Sequence, residues 1–287
     1  MAPEGLALAA AFCFALSSLI LGALKGRVPL MQLARWQQVA AFGFTALVGL
    51  LVGGWQGIEP WQYGLLAASG FVGITIASTT YFGALYTIGP RLTALLFSLT
   101  SPFSLGLGFV FLGETVSAGQ GAGVALVVGG IGLAIGPGGR DAVGPHWRLG
   151  ILLGVITALG QAAGSLLARP AMAAGVEPFT AMAIRTGLTV VLLISLTALP
   201  RFRTGEVPAR GRPFALAMLA ALVGTALGMT LLMAALEQGD VGIVSTLSSI
   251  TPVLILPLVW AATGERPRPV AWLGAALAVA GVALISL

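Results

Sequence analysis

Ten runs of about twenty predominantly apolar residues follow one another along this chain, and no polar stretch between them is long enough to hold a separate domain. A helix needs roughly 20 apolar residues to cross the hydrocarbon core of a bilayer. Lipid offers peptide N–H and C=O groups no partners, so each run must satisfy its own backbone as a helix, and these runs are too long for barrel strands. The runs lie at about 5–24, 30–53, 62–88, 92–112, 119–136, 148–168, 179–199, 213–236, 241–262 and 269–287, with turn-forming stretches such as Gly89-Pro90, Pro137-Gly138-Gly139 and Glu177-Pro178 between them. Charged residues make up only 8% of the chain, where a soluble domain carries about 25%. The mean hydropathy is +1.01. The expected fold is an all-α polytopic membrane protein.

The charged and reactive residues exclude several functions. The net charge of +5 comes from basic residues scattered through short loops with no stripe, so a nucleic-acid partner is not expected and a loop bias is. Cys13 is the only cysteine and lies in the first apolar run, so no intrachain disulfide can form. His146 is the only histidine and has no metal-binding companions nearby in sequence. The only lysine, Lys25, follows the first span, which excludes a retinal Schiff base in a late helix. The two aspartates, Asp141 and Asp240, cannot form the paired acidic motifs of membrane prenyltransferases. An enzyme is not expected, and no cofactor or metal is called for. The N-terminal run has no basic leader and is followed by Lys25 and Arg27, so it reads as a first span.

The halves repeat. Gly-Pro-Arg-Leu-Thr-Ala (89–94) through Ser98-Leu99-Thr100-Ser101-Pro102 lies over Gly239 through Ser248-Ser249-Ile250-Thr251-Pro252 at an offset of 150. At an offset of 151, Gly113-Glu114 matches Gly264-Glu265, and Gly123 and Gly130 match Gly274 and Gly281. Arg35 matches Arg185 at 150, and Gly73 matches Gly224 at 151. With five spans per half, an odd number, the second half must enter the membrane upside down. The expectation is ten transmembrane helices as two inverted five-helix repeats, 1–140 and 141–287, around a central cavity, the architecture of secondary transporters.

Each half thus carries an Arg in its second helix, a Ser/Thr-Pro in its fourth and a Gly-Glu just after. That pattern resembles the drug/metabolite transporter superfamily, and within it the EamA-type exporters. The aromatic residues of the cavity helices are most similar to YddG-like exporters of aromatic and other neutral amino acids. The resemblance implies a carrier in a cell (inner or plasma) membrane that moves small solutes by alternating access. Multidrug efflux, or sugar-phosphate or nucleotide-sugar carriage, are the alternatives within the superfamily.

The connections 1–2, 3–4, 5–6, 7–8 and 9–10 hold eleven Lys and Arg residues, and the other loops hold only Arg169. The bias predicts that both termini are external, so a reporter at Leu287 should not read as cytoplasmic.

Candidate site residues follow from polarity at span depth. Pro102 and Pro252 each free the carbonyl four residues earlier, on Ser98 and Ser248, and paired midplane breaks point to a substrate site. They either line a cavity or are packing kinks, and Ser98→Ala and Ser248→Ala should weaken transport if the former holds. Spans three and eight offer Thr79, Tyr81, Phe82 and Met229, and spans one and six offer Ser17, Gln161 and Ser165. Phe12, Phe14 and Phe97 would add aromatic faces. Arg35 and Arg185 either snorkel to the headgroups or pair with a substrate carboxylate, Glu114 or Glu265. No acid lies clearly at mid-membrane, so the expected solute is a neutral zwitterion with an apolar or aromatic side chain.

Overall fold

The computed structural model describes residues 3–112, 115–135, 146–196, 199, 205–238, 244, 247–248, 250–264 and 266–286, and every regular element among them is helical. In chain order these are α1 (Pro3–Gly22), α2 (Leu30–Leu51), α3 (Pro60–Gly70), α4 (Ala77–Phe97), α5 (Thr100–Leu112), α6 (Ala118–Ile135), α7 (Trp147–Ala173), α8 (Pro178–Leu196), α9 (Gly211–Ala220), α10 (Met229–Gln238), α11 (Thr251–Thr263) and α12 (Pro269–Ser286). Two π-helical segments, Phe71–Ile76 and Ala221–Gly228, join α3 to α4 and α9 to α10 without a break. Five stretches are long and apolar enough to cross a membrane: Pro3–Gly22, Pro60–Phe97, Trp147–Ala173, Pro178–Leu196 and Gly211–Glu237. Four others are apolar but shorter, and α2, at 22 residues, is diluted by Gln32, Arg35, Gln37 and Gln38.

Local chemistry sets the helix starts. Glu59 and Gln62 form a reciprocal capping box ahead of α3, with Pro60 in the first turn. Ser117 and Gln120 do the same for α6. The Glu177 carboxylate accepts the Phe179 and Thr180 N–H groups at 2.9 and 2.7 Å, satisfying donors the first turn of α8 leaves unused. α4 is kinked at Gly89, whose φ of 79° suits a residue without a Cβ.

The interior is built from small residues and the exterior from large ones. Along α1, Ala7, Ala10, Ala11 and Ala15 are buried at helical spacing while Leu8 and Phe12 face outward. Phe109, Val110 and Phe111 of α5 and Leu50 and Leu51 of α2 are likewise exposed. Lipid tails are as apolar as leucine, so close backbone packing must hold the helices together. It is close along the whole contact of α6 with α12. A Cβ added at Gly123 would lie 2.5 Å from the Gly281 carbonyl, one at Gly281 would lie 2.5 Å from the Gly123 carbonyl, and one at Gly130 would lie 2.6 Å from that of Gly274.

Other packing pairs include α2 with α8, α1 with the second π segment, α10 and α11, and α7 with α3, the first π segment, α4 and α5. Gly281→Leu should separate α6 from α12 and lower stability by about 1–3 kcal/mol. Gly129→Leu, with nothing within 4 Å of an added Cβ, should leave it unchanged. Thermal unfolding in detergent reads both, and equal melting temperatures would contradict this packing.

Candidate solute-binding cavity

A cavity of about 90 Å³ lies among α1, α2, the first π segment with α4, α7, the second π segment with α10, and α11. At roughly 10–15 Å³ per water it has room for several water molecules. Hydroxyls and amides come from Ser17, Ser18, Gln38, Ser78, Tyr81, Thr157, Gln161, Thr225 and Thr251, and apolar faces from Phe14, Leu21, Ile74, Phe82, Phe97 and Met229. No charged side chain lines it among the described residues.

The hydroxyls are mostly tied to the walls. Ser17 Oγ donates to the Ala220 carbonyl at 2.9 Å, joining α1 to α9, and Ser18 donates to the Phe14 carbonyl at 2.8 Å while also meeting the Tyr81 hydroxyl. The Tyr81 and Phe82 rings stand edge to face with centroids 5.8 Å apart. Gln38 Nε2 donates to Ser78 Oγ at 3.1 Å, but Gln38 Oε1 is buried without a partner. Gln161 Nε2 donates only to the Met229 sulfur at 3.9 Å, a weak acceptor. The amides of Gln38 and Gln161 are therefore the lining groups with most hydrogen-bonding capacity to spare.

Ser17, Tyr81, Phe82, Gln161 and Met229 are brought together as the sequence predicts. Other expected site residues lie outside the lining. Thr79 turns to its own helix and donates to the Thr75 carbonyl at 2.7 Å. Ser165 is half-buried on α7 away from the cavity, and Phe12 is exposed on the outer face of α1. The helix does open at Ser98-Leu99, four residues before Pro102, but the freed Ser98 carbonyl accepts the Ser101 N–H at 3.3 Å. Ser98 Oγ is buried with no partner, and neither Ser98 nor Pro102 touches the cavity. In the second half the Ser248 carbonyl accepts the Thr251 hydroxyl at 2.9 Å, and Thr251, not Ser248, reaches the lining. Pro252 sits in the first turn of α11, and its side chain lies outside the described residues.

Sequence reasoning passed over Gln38 and Thr157. The argument that singles out Gln161, that an amide at span depth needs partners, applies equally to Gln38. Thr157 lies one turn before Gln161 on the same face of α7.

The two arginines have different settings. Arg35 Nη2 is 3.0 Å from Glu206 Oε1, with both side chains partly exposed at the mouth of a separate hollow beside Trp36 and Phe214. Gln32 reinforces that end by exchanging two hydrogen bonds with the Val207 backbone. Glu114 and Glu265, the partners considered from sequence, lie outside the described residues.

Arg185 does not snorkel. It is 0% exposed, and Nη1 meets only the sulfurs of Met182 and Met233, at 3.4 and 3.2 Å. Nε and Nη2 have no partner among the described residues. Gly70 lets the backbone of α8 approach the facing helix, and Gly73 leaves room there for the guanidinium. An unpaired buried guanidinium costs several kcal/mol, and thioethers are weak acceptors that offset little of this.

Apolar helices long enough to cross a membrane, around a cavity with no charged lining residue among those described, define the class as an integral membrane protein. The EamA-like transporter family matches residues 2–136 and 148–287. The chain therefore belongs to the EamA-like transporter family, and it is a multi-pass membrane transporter of the drug/metabolite transporter superfamily. No curated protein sequence matches it. A protein of known crystal structure superposes on 98% of this chain and 98% of its own with a TM-score of 0.71, at 21% identity, a likeness of fold alone.

Ser98→Ala should leave transport unchanged and melting temperature equal or raised, because it removes a buried hydroxyl that has no partner. Gln161→Leu should reduce transport at least several-fold. Solute uptake and thermal unfolding of the two variants check this, and a larger uptake loss in Ser98→Ala would contradict it.

Proposed function

We propose that the protein is an alternating-access exporter of small neutral zwitterions, aromatic and other neutral amino acids foremost, of the kind handled by YddG-like exporters. It works as ten transmembrane helices in two inverted five-helix halves, 1–140 and 141–287, in the inner or plasma membrane with both termini external. The observation that carries the reading is the cavity itself. It offers aromatic and thioether faces, hydroxyls and two underused amides, and no charged lining residue among those described. Aromatic faces suit flat or apolar side chains, and the amides and hydroxyls suit the ammonium and carboxylate ends.

The packing supports the inverted halves. Exchanging each element for its counterpart in the other half turns the contact of Gly123 with Gly281 into that of Gly274 with Gly130, and both contacts occur. The same exchange relates the first π segment packed on α7 to the second packed on α1. Midplane irregularities at matched positions of two repeats are where such carriers bind solute.

A sugar-phosphate carrier would need several cations facing the solute, which this lining does not provide. Multidrug efflux is the closer rival, since flat organic molecules also suit the aromatic faces.

Counterflow in proteoliposomes tests the reading. Saturable exchange of phenylalanine, tryptophan or methionine is expected, and comparison at two pH gradients separates proton coupling from facilitated movement. Exchange of a sugar phosphate with none of any neutral amino acid would overturn it.

A further inference from the structure

One wall of the cavity has a charge directly behind it. Gly73 and Ile74, in the first π segment, line the cavity, and Gly73 has no side chain to screen what lies beyond. The position a Cβ would take on Gly73 is 3.0 Å from the Gly164 Cα of α7 and 3.1 Å from Arg185 Nη2, so only glycine backbone stands between the cavity and the guanidinium. Nη2 and Nε are buried and without partners among the described residues, where Nη1 faces only two neutral sulfurs. A second unused group lies on α10, where the buried Thr230 hydroxyl has no partner and sits one turn before Met233, the residue that touches the guanidinium. Residues three apart on a helix share a face. A π segment inserted into an α-helix is itself a frequent mark of a functional site.

We propose that Arg185 is the seat for the carboxylate of the transported solute, reached from the cavity past Gly73, so that a single carboxylate is a requirement for transport. The proposal rests on the reading of the cavity as the solute path. The guanidinium has a planar fork of donors that matches a carboxylate in bidentate geometry, and its two free nitrogens are what such an anion would take up. A phosphate dianion would call for a second cation, and the described lining offers none. The ammonium end of the same solute finds its acceptor in the unpartnered Gln38 Oε1, also on the cavity wall. This arrangement separates amino acids from cationic or neutral drugs, which share the aromatic faces but lack the anion.

The test uses three phenyl compounds differing only in their charged ends. 3-Phenylpropionate carries the carboxylate alone, phenethylamine the ammonium alone, and phenylalanine both. As competitors of phenylalanine counterflow in proteoliposomes, 3-phenylpropionate should act at least ten-fold more strongly than phenethylamine on the parent protein. It should also raise the parent's melting temperature in chloride-free buffer. In Arg185→Met, whose side chain matches its thioether neighbours, phenylalanine counterflow should fall at least ten-fold and the thermal shift should vanish. The ligand-free melting temperature should be equal to or above the parent's, while Arg185→Lys keeps part of the preference. Equal competition by the two compounds in the parent would overturn the proposal, as would an unchanged thermal shift in Arg185→Met, or a parent stabilised by chloride and not by 3-phenylpropionate. If Arg185→Met does not fold, the ranking of competitors in the parent decides alone. The thermal-shift arm needs no transport, so it decides the proposal even where the vesicles take up no amino acid and the exporter reading falls.

Discussion

Close approach of helix backbones is the constraint on which the rest of this protein depends. In water a core forms because large apolar side chains leave the solvent, but in lipid that gain is absent and helices adhere where small residues let their backbones touch. The protein is built accordingly, with alanine and glycine at its helix contacts and leucine, valine and phenylalanine on its outer faces. The reciprocal contact of Gly123 and Gly281 fixes α6 on α12. Gly224 brings the second π segment against Ser17 of α1, and Gly73 brings the first against Gly164 of α7. The two π segments bordering the cavity are therefore also places where helices approach each other closely.

That arrangement lets polar groups be buried without a polar core. Most hydroxyls in the interior are anchored to backbone carbonyls, many of them one turn earlier in the same helix, as with Ser18, Thr157 and Thr186. Such groups can border a solute at little cost because their own hydrogen bonds do not depend on it. Gln38, Gln161 and Arg185 differ, since each retains hydrogen-bonding capacity that the protein itself does not fill. Arg35 and Glu206, with Gln32 and Val207, instead tie α2 to the segment ahead of α9 at one end of the helix array.

Much of the architecture was legible because it is written in periods and offsets. The apolar runs mark helices whatever their partners, and the glycines at 73, 123 and 130 recur 151 residues later at 224, 274 and 281. Depth in the membrane could also be read, and it singled out Gln161, Ser17 and Tyr81, which line the cavity. Direction could not. One residue turns a helix by about 100°, so Phe14 faces the cavity while Phe12 faces outward, and Phe97 lines it while Ser98 does not. The same step separates Ser78, which faces the cavity, from its neighbour Thr79, which does not, and the π segments shift the rotation without a mark in composition. Arg185 shows the same limit, because its sequence position gives its depth but not the direction of its side chain, for which Gly73 of the facing helix leaves room.

The central claim is that the two halves cross the membrane in opposite senses and share the cavity between them. The connections after α1 and after α7 are counterparts, so in an inverted pair they lie on opposite sides. Exposed Lys25 and Ala174 mark these two turns. Single cysteines there, Lys25→Cys and Ala174→Cys on a Cys13→Ala background, can be labelled with a membrane-impermeant maleimide in intact and permeabilised cells. The account predicts labelling at position 174 from outside in intact cells, and at position 25 only after permeabilisation. Labelling of both positions from the same side would contradict it.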